Sequence, residues 1–144
     1  MTEAERRVRD SFAKQAFMTL LGARLARVSP GEVDVELPFR ADLVQQHGYL
    51  HAGVTSAIAD SACGYAALSV MPADAAVLSV EYKVNLLAPA QGQRFLAMGR
   101  VVRSGRTITV VRADVLAFDE HDDGRPVLAM LGTMMAARGR GISD

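Results

Sequence analysis

Cysteine occurs once in the 144 residues, at Cys63 inside an apolar stretch, so no intramolecular disulfide can staple the chain. A lone thiol, together with an N-terminus (MTEAERRVRD) that has no apolar signal-peptide core, implies a reducing, cytoplasmic setting. An excess of charge of one sign is also missing. Sixteen basic and sixteen acidic side chains cancel to a net charge of +0, which excludes the long-range field that draws nucleic acid or an anionic membrane surface. Nor is there an uninterrupted membrane span. Residues 49 to 71 come nearest, but His51 and Asp60 break them, and an ionised Asp near the bilayer centre costs ~2.5–3.5 kcal/mol. Internal repeats and long linkers are absent too, which leaves one domain over residues 1–144, with half of its residues hydrophobic and able to build a core without metal or disulfide.

What is present is regular patterning. Thr2 and Glu5 stand at capping-box spacing before Val8, Phe12, Ala16 and Leu20, which predicts an amphipathic helix over 1–20. The runs ARLARVS and GEVDVELPF meet through Ser29-Pro30-Gly31 and read as a strand pair. A loop, RADLVQQHGYLH, then leads into an Ala-rich segment that predicts a long helix ending near Pro72. Four runs rich in Val, Leu and Thr follow, AVLSVEYKVNLLAP, QRFLAMGRVVRS, RTITVVRADVLAFD and RPVLAMLGTMMAAR, separated by turns and followed by a flexible tail at 139–144.

That order implies an α+β fold in which one long central helix is wrapped by a curved antiparallel sheet of about five to six strands, with an N-terminal helix beside it. The helix can lie close to the sheet because Ala52, Gly53, Ala57, Ala59, Ala62, Gly64, Ala66 and Ala67 are small. The free edges of such a sheet could be paired by a homodimer.

One carboxylate sits in that greasy helix. In HAGVTSAIADSACGYAAL, Asp60 is either a structural group satisfied by a hydroxyl such as Ser56 or a functional one. The segment HGYLHAGVTSAIAD resembles the signature of the PaaI-like hotdog-fold acyl-CoA thioesterases: a polar amide residue, a Gly, a His-Gly-Gly at the mouth of the central helix, and a catalytic carboxylate nine positions after the His. His51 and Asp60 have that spacing. The stretch VEYKVNLLAPA is similar to the family's strand ending in an Asn-x-x-x-Pro-Ala type sequence, which brings in Asn85 as a substrate contact, and VVRSGRTITVVRADV resembles its hairpin. The likeness covers roughly residues 20 to 138. Two positions depart from the pattern: Ala52 replaces the first glycine and Gln45 the usual Asn.

The resemblance implies a hotdog fold and hydrolysis of aryl- or medium-chain acyl-CoA thioesters to free acid and coenzyme A. Asp60 would be general base or nucleophile, and the amides at Ala52 and Gly53 the oxyanion hole. His51 and Gln45 would take positioning roles, His51 holding Gln45 or the Ala52 peptide unless its ring simply orders the turn. Ser79 matches a Ser or Thr position near the nucleophilic water, yet strand alternation puts it with Glu81 and Lys83 on the polar face. It needs a bulge or a dimer interface to take part; otherwise it is a solvent-facing strand residue.

Arg103, Arg106 and Arg138, with Thr107, are candidates for the coenzyme A phosphates, or else members of a solvated turn. Tyr49, Leu50, Val54 and Tyr65 are candidate acyl-pocket lining. No metal and no separate cofactor are implied, coenzyme A being part of the substrate; HDDG at 121 to 124 reads as a turn. Cys63 reads as packing.

From Ala52 to Asp60 a helix rises ~12 Å, too far for both to serve one carbonyl. The family's answer is an active site shared across a homodimer, in a dimer of dimers (a homotetramer). Two other functions fit the same residues: a hotdog hydroxyacyl-CoA dehydratase, and a non-catalytic acyl-CoA binding module.

Overall fold

Alternation along the strands decides which face of the sheet meets the helix. In the computed structural model, which describes residues 1–144, Val33, Val35 and Leu37 of one strand and Phe95 and Ala97 of its neighbour are fully buried, while the residues between them face outward. The elements run α1 (Glu3–Lys14), α2 (Ala16–Leu21), β1 (Arg24–Ser29), β2 (Glu32–Pro38), a short 3-10 turn (Ala41–Leu43), α3 (Ala52–Leu68), β3 (Ala76–Leu86), β4 (Arg94–Ser104), β5 (Ile108–Phe118) and β6 (Gly124–Ala137). The six strands form one antiparallel sheet in the order β1-β2-β4-β5-β6-β3, and α3 packs across its inner face. Register shifts in β1, β3, β4 and β6 are bulges that add twist and bend the sheet around the helix. The hotdog architecture expected from the sequence is the one observed.

The small residues set the closeness of that packing. A Cβ placed on Gly99 of β4 would run into the carbonyl of Ala62 and lie 2.8 Å from the amide nitrogen of Cys63, so helix backbone crosses strand backbone directly at that point.

The N-terminal helix differs from the expectation of one helix over 1–20. Thr2 does cap it, its Oγ1 accepting from the Glu5 N–H at 3.1 Å, and Val8 is buried as predicted. The helix then breaks at Gln15, whose backbone is extended (φ −79°, ψ 98°). The break rotates the apolar stripe: Met18 and Leu21 are buried, whereas Ala16 and Leu20, the predicted continuation, are exposed. Its physical cause is tertiary, because the Gln15 side chain is bonded at both ends to α3.

A long-range cap holds the far end of α3. The Arg7 guanidinium donates to the carbonyls of Leu68, Met71 (2.9 Å) and Pro72 (2.7 Å), placing a cation on the negative end of the helix dipole. Charge-assisted bonds of this kind are worth about 1.5–3 kcal/mol apiece when partly buried, without being additive. Arg7→Ala is expected to lower unfolding free energy by about 2–3 kcal/mol in a urea melt. A loss within the noise of a surface substitution would show the cap to be ornamental.

Candidate active site

Helix α3 begins with a histidine cap. His51 has extended backbone, and its Nδ1 accepts from the Gly53 N–H at 2.7 Å. The ring lies so close over residue 53 that a Cβ there would be 2.9 Å from Nδ1, which explains why Gly53 is retained. The His51 carbonyl takes the Val54 and Thr55 amides at 2.9 and 3.3 Å. The Ala52 N–H is left without a partner in the chain, at the positive end of the helix. Its side chain plays no part in that, so the departure from glycine is tolerated. Gly53, expected as a second oxyanion donor, instead spends its N–H on His51. His51 holds this amide and not Gln45.

Gln45 braces its own loop: Oε1 accepts from the His47 N–H at 2.5 Å and the Tyr49 N–H at 3.3 Å, and the backbone closes the turn through Tyr49 and Gly48. Gln45, Tyr49, Leu50, Ala52 and Thr55 border a groove of ≈ 480 Å³, closed on the other side by residues 86–90 and Val127 and mostly apolar.

Asp60 lies two turns further along α3 and faces a different cavity. Ser79 Oγ donates to Asp60 Oδ1 at 2.7 Å, while Oδ2 has no partner in the chain. The contact exists because β3 bulges between Ser79 and Glu81: Ser79 pairs with Met134, Glu81 with Thr133, and the extra residue, Val80, turns Ser79 to the helix side together with Tyr82 and Val84. The bulge is one of the two routes that the sequence left open. Ser79, not the nearer Ser56, is the hydroxyl that satisfies Asp60. Burial pushes the Asp60 carboxyl above the usual Asp range, and the Ser79 bond offsets part of that. The same burial pushes the Cys63 thiol up to about 12, with the charge of Asp60 adding to it, so Cys63 is inert packing.

The Asp60 cavity measures ≈ 160 Å³ and is walled by Gln15, Ser61, Gly64, Tyr65, Val77, Ser79 and Asp144. It shares no residue with the Ala52 groove. Tyr65 therefore stands beside Asp60, apart from Tyr49 and Leu50, and Val54 is buried in the core. Gln15, Ser61 and Asp144 were not singled out from sequence. Ser61 adjoins Asp60, but nothing local links residue 15 or 144 to it.

Asn85 pairs with Ala129 near the other end of β3, with its neighbours Val84 and Leu86 facing α3, so its side chain lies on the outer face. Arg103, Arg106 and Thr107 are exposed around the β4–β5 turn, where the Thr107 carbonyl accepts from the Ala136 N–H at 2.8 Å. Arg138 follows β6 on that side, 4.0 Å from Asp74. The registers Ser79↔Met134 and Thr109↔Met134 put this basic corner at the Asp60 end of the sheet. Residues 119–124 form a turn in which Asp119 Oδ1 accepts from the His121 and Asp123 amides at 2.9 and 3.0 Å.

A bent antiparallel sheet around one helix, with a free amide at the helix start and a half-buried carboxylate in its middle, defines a hotdog-fold hydrolase. The chain belongs to the thioesterase superfamily, whose match spans residues 47–122, and it is a thioester hydrolase. A thioesterase family protein of Silicibacter pomeroyi is 49% identical in sequence and superimposes with a TM-score of 0.92, over 94% of this chain and 99% of that one. The PaaI protein of the E. coli phenylacetic acid degradation operon shares the fold, with a TM-score of 0.83 at 19% identity over 94% of each chain. Among curated relatives, a 1,4-dihydroxy-2-naphthoyl-CoA hydrolase of Listeria monocytogenes is 28% identical over 90 residues, 62% of this chain and 73% of that protein. No helix is long and apolar enough to cross a membrane.

Proposed function

We propose that the protein hydrolyses aryl- or medium-chain acyl-CoA thioesters at sites shared between two subunits of a homodimer. The observation that carries this reading is the separation of the half-sites: the unpartnered Ala52 amide and the Asp60 carboxylate belong to one helix but open into two cavities with no residue in common. Each chain supplies one half to each of two sites. Strand β3 is suited to the join, being the last strand of the sheet, with Leu78, Val80, Tyr82 and Leu86 exposed along it. A second association through the outer sheet face, where Leu131 is exposed, would give a dimer of dimers.

In this reading the Ala52 N–H of one subunit stabilises the developing oxyanion, a contribution of about 10²–10³ in rate for one such donor. Asp60 of the other acts as general base on water through its free Oδ2, with Ser79 fixing Oδ1. A cavity of ≈ 160 Å³ has room for that water, which occupies ~30 Å³ in the liquid. Tyr49, Leu50 and the apolar groove beside Ala52 would hold the acyl or pantetheine portion, and Arg103, Arg106, Thr107 and Arg138 the coenzyme A phosphates. The relative acting on a naphthoyl-CoA supports an acyl-CoA substrate with a ring. No cofactor is required, and the single buried thiol accords with a cytoplasmic setting.

The test is thiol release across a panel from benzoyl-CoA to decanoyl-CoA. Mixing an inactive Asp60→Ala subunit with one inactivated at Gln45 and His51 should restore up to about a quarter of wild-type activity, because half of the subunits pair as heterodimers and each heterodimer holds one intact site. Mixtures that stay inactive after verified subunit exchange would refute the shared site. Alkene formation with the thioester intact would instead identify a hydroxyacyl-CoA dehydratase.

A further inference from the structure

Beside Asp60 runs a chain of hydrogen bonds that the thioesterase reading does not use. It links Ser61 and Tyr65 of α3 to Gln15 at the α1–α2 break, Ser11 of α1 and the Asp144 side chain. Ser61 Oγ is 3.1 Å from Gln15 Oε1, Gln15 Nε2 is 2.9 Å from the Tyr65 hydroxyl, the Tyr65 hydroxyl is 3.4 Å from Ser11 Oγ, and Ser11 Oγ is 2.9 Å from Asp144 Oδ1. Asp144 Oδ2 is held by the Val77 N–H at 2.6 Å.

One end of this chain decides the direction of all of it. An ionised carboxylate accepts only, so Ser11 must give its single proton to Asp144. Ser11 can then only accept from Tyr65. Tyr65, having spent its proton, accepts from the amide of Gln15, and Gln15 therefore turns its carbonyl oxygen to Ser61, which must donate to it. Every proton points away from Asp60. Ser61, whose hydroxyl would otherwise be free to donate to the neighbouring carboxylate, is left with lone pairs only on the cavity side.

We propose that Gln15 is a positioning residue for hydrolysis: by taking the Ser61 proton it keeps Ser61 Oγ an acceptor, so that Asp60 Oδ2 and Ser61 Oγ together take both protons of the attacking water. A water held in this way has a lone pair directed out of the cavity, toward the thioester carbonyl. In the step itself the water oxygen bonds to the carbonyl carbon as one proton passes to Asp60. The C–S bond then breaks with its electron pair on sulfur, and Asp60 returns the proton to the thiolate, while the second water proton leaves with the acid. The inference rests on Asp60 being the base.

The test compares Gln15→Met, Ser61→Ala and the double variant, all in the full-length protein, by thiol release from the best-hydrolysed member of the acyl-CoA panel. Each single variant is expected to lower kcat about ten- to a hundredfold with KM unchanged, as misorientation of a reactant does. The double variant should be no worse than either single one, because Gln15 acts through Ser61. The groups facing Asp60 are Ser79 of β3, Ser61, Cys63 and Tyr65 of its own helix, Gln15 and the Asp144 carboxylate. In Gln15→Met the freed Ser61 hydroxyl joins Ser79 as a donor to Asp60, so the acid limb of the kcat–pH profile moves to lower pH; in Ser61→Ala it does not.

Losses that multiply in the double variant, or an acid limb that stays in place in Gln15→Met, overturn the proposal. Ser61→Ala removes one of the two bonds that hold Gln15 and keeps the other, to Tyr65, and unimpaired kcat in it overturns the proposal even if Gln15→Met fails to fold. Robust turnover by Asp60→Ala would instead remove the reading beneath it, whereas an inactive Asp60→Ala with normal Gln15→Met removes this inference alone.

Discussion

Asp60→Asn is expected to lower kcat about a thousandfold, in the middle of the range for loss of a positioned general base, while leaving KM within a few fold. The amide is nearly the same size as the carboxylate and can still accept from Ser79, so the loss reports proton transfer and not a collapsed site. The same substitution is expected to stabilise the fold at neutral pH. Burial holds the folded Asp60 carboxyl above its unfolded value. Below the unfolded value the group is neutral in both states and costs nothing. As pH rises through the folded value the unfolded chain ionises more readily, and stability is lost. Asn never ionises. Melting temperatures of the two proteins should therefore converge in acid and separate above the folded value, with the variant the higher. A variant that is less stable throughout would mean that the carboxylate is a structural group, and turnover near the wild-type rate would remove it from the mechanism.

Gly99→Ala should be the most damaging single-methyl change in the core. Its Cβ would meet the Ala62 carbonyl and, at 2.8 Å, the Cys63 nitrogen. Both are backbone atoms in the middle of α3, so relief requires the whole helix to lift from β4, with loss of contacts along both. A loss of more than about 4 kcal/mol in unfolding free energy is expected, large enough to leave most of the protein insoluble. Gly64→Ala is the contrast. It lies in the same helix and is buried, but its Cβ would meet nothing within 4 Å. There the helix propensity of Ala adds up to about 1 kcal/mol. A Gly99→Ala protein that melts like the wild type would show that α3 does not rest on β4 as described.

Much of this site can be read in the linear chain because it depends on spacing within one element. The His51-to-Asp60 interval, the small residues of α3 and the alternation in β2 are local periodicities, and local periodicity is what places side chains on a helix or strand face. The rise of a helix alone separates Ala52 from Asp60, and α3 does run unbroken from Ala52 to Leu68. Position within the motif also singled out Ser79, although alternation alone would have pointed it to solvent.

The residues that escaped notice are those whose partners lie far away in sequence. Gln15 meets Ser61 and Tyr65 across 46 and 50 positions, and Arg7 meets Leu68 and Pro72 across 61 and 65. Each looked like an ordinary polar residue in an amphipathic helix, and the stripe through Ala16 and Leu20 argued for continuity where the chain breaks. Likewise the bulge at Val80 adds one residue to β3 without any Gly or Pro to announce it. By itself, then, the sequence determined the element order, the central helix and the carboxylate in it, because burial patterns repeat at the pitch of each element. Only the tertiary structure decided where the N-terminal helix breaks, which amide at the start of α3 stays free and which hydroxyl meets Asp60, since hydrogen-bond direction and bulge placement depend on groups that folding brings together from opposite parts of the chain.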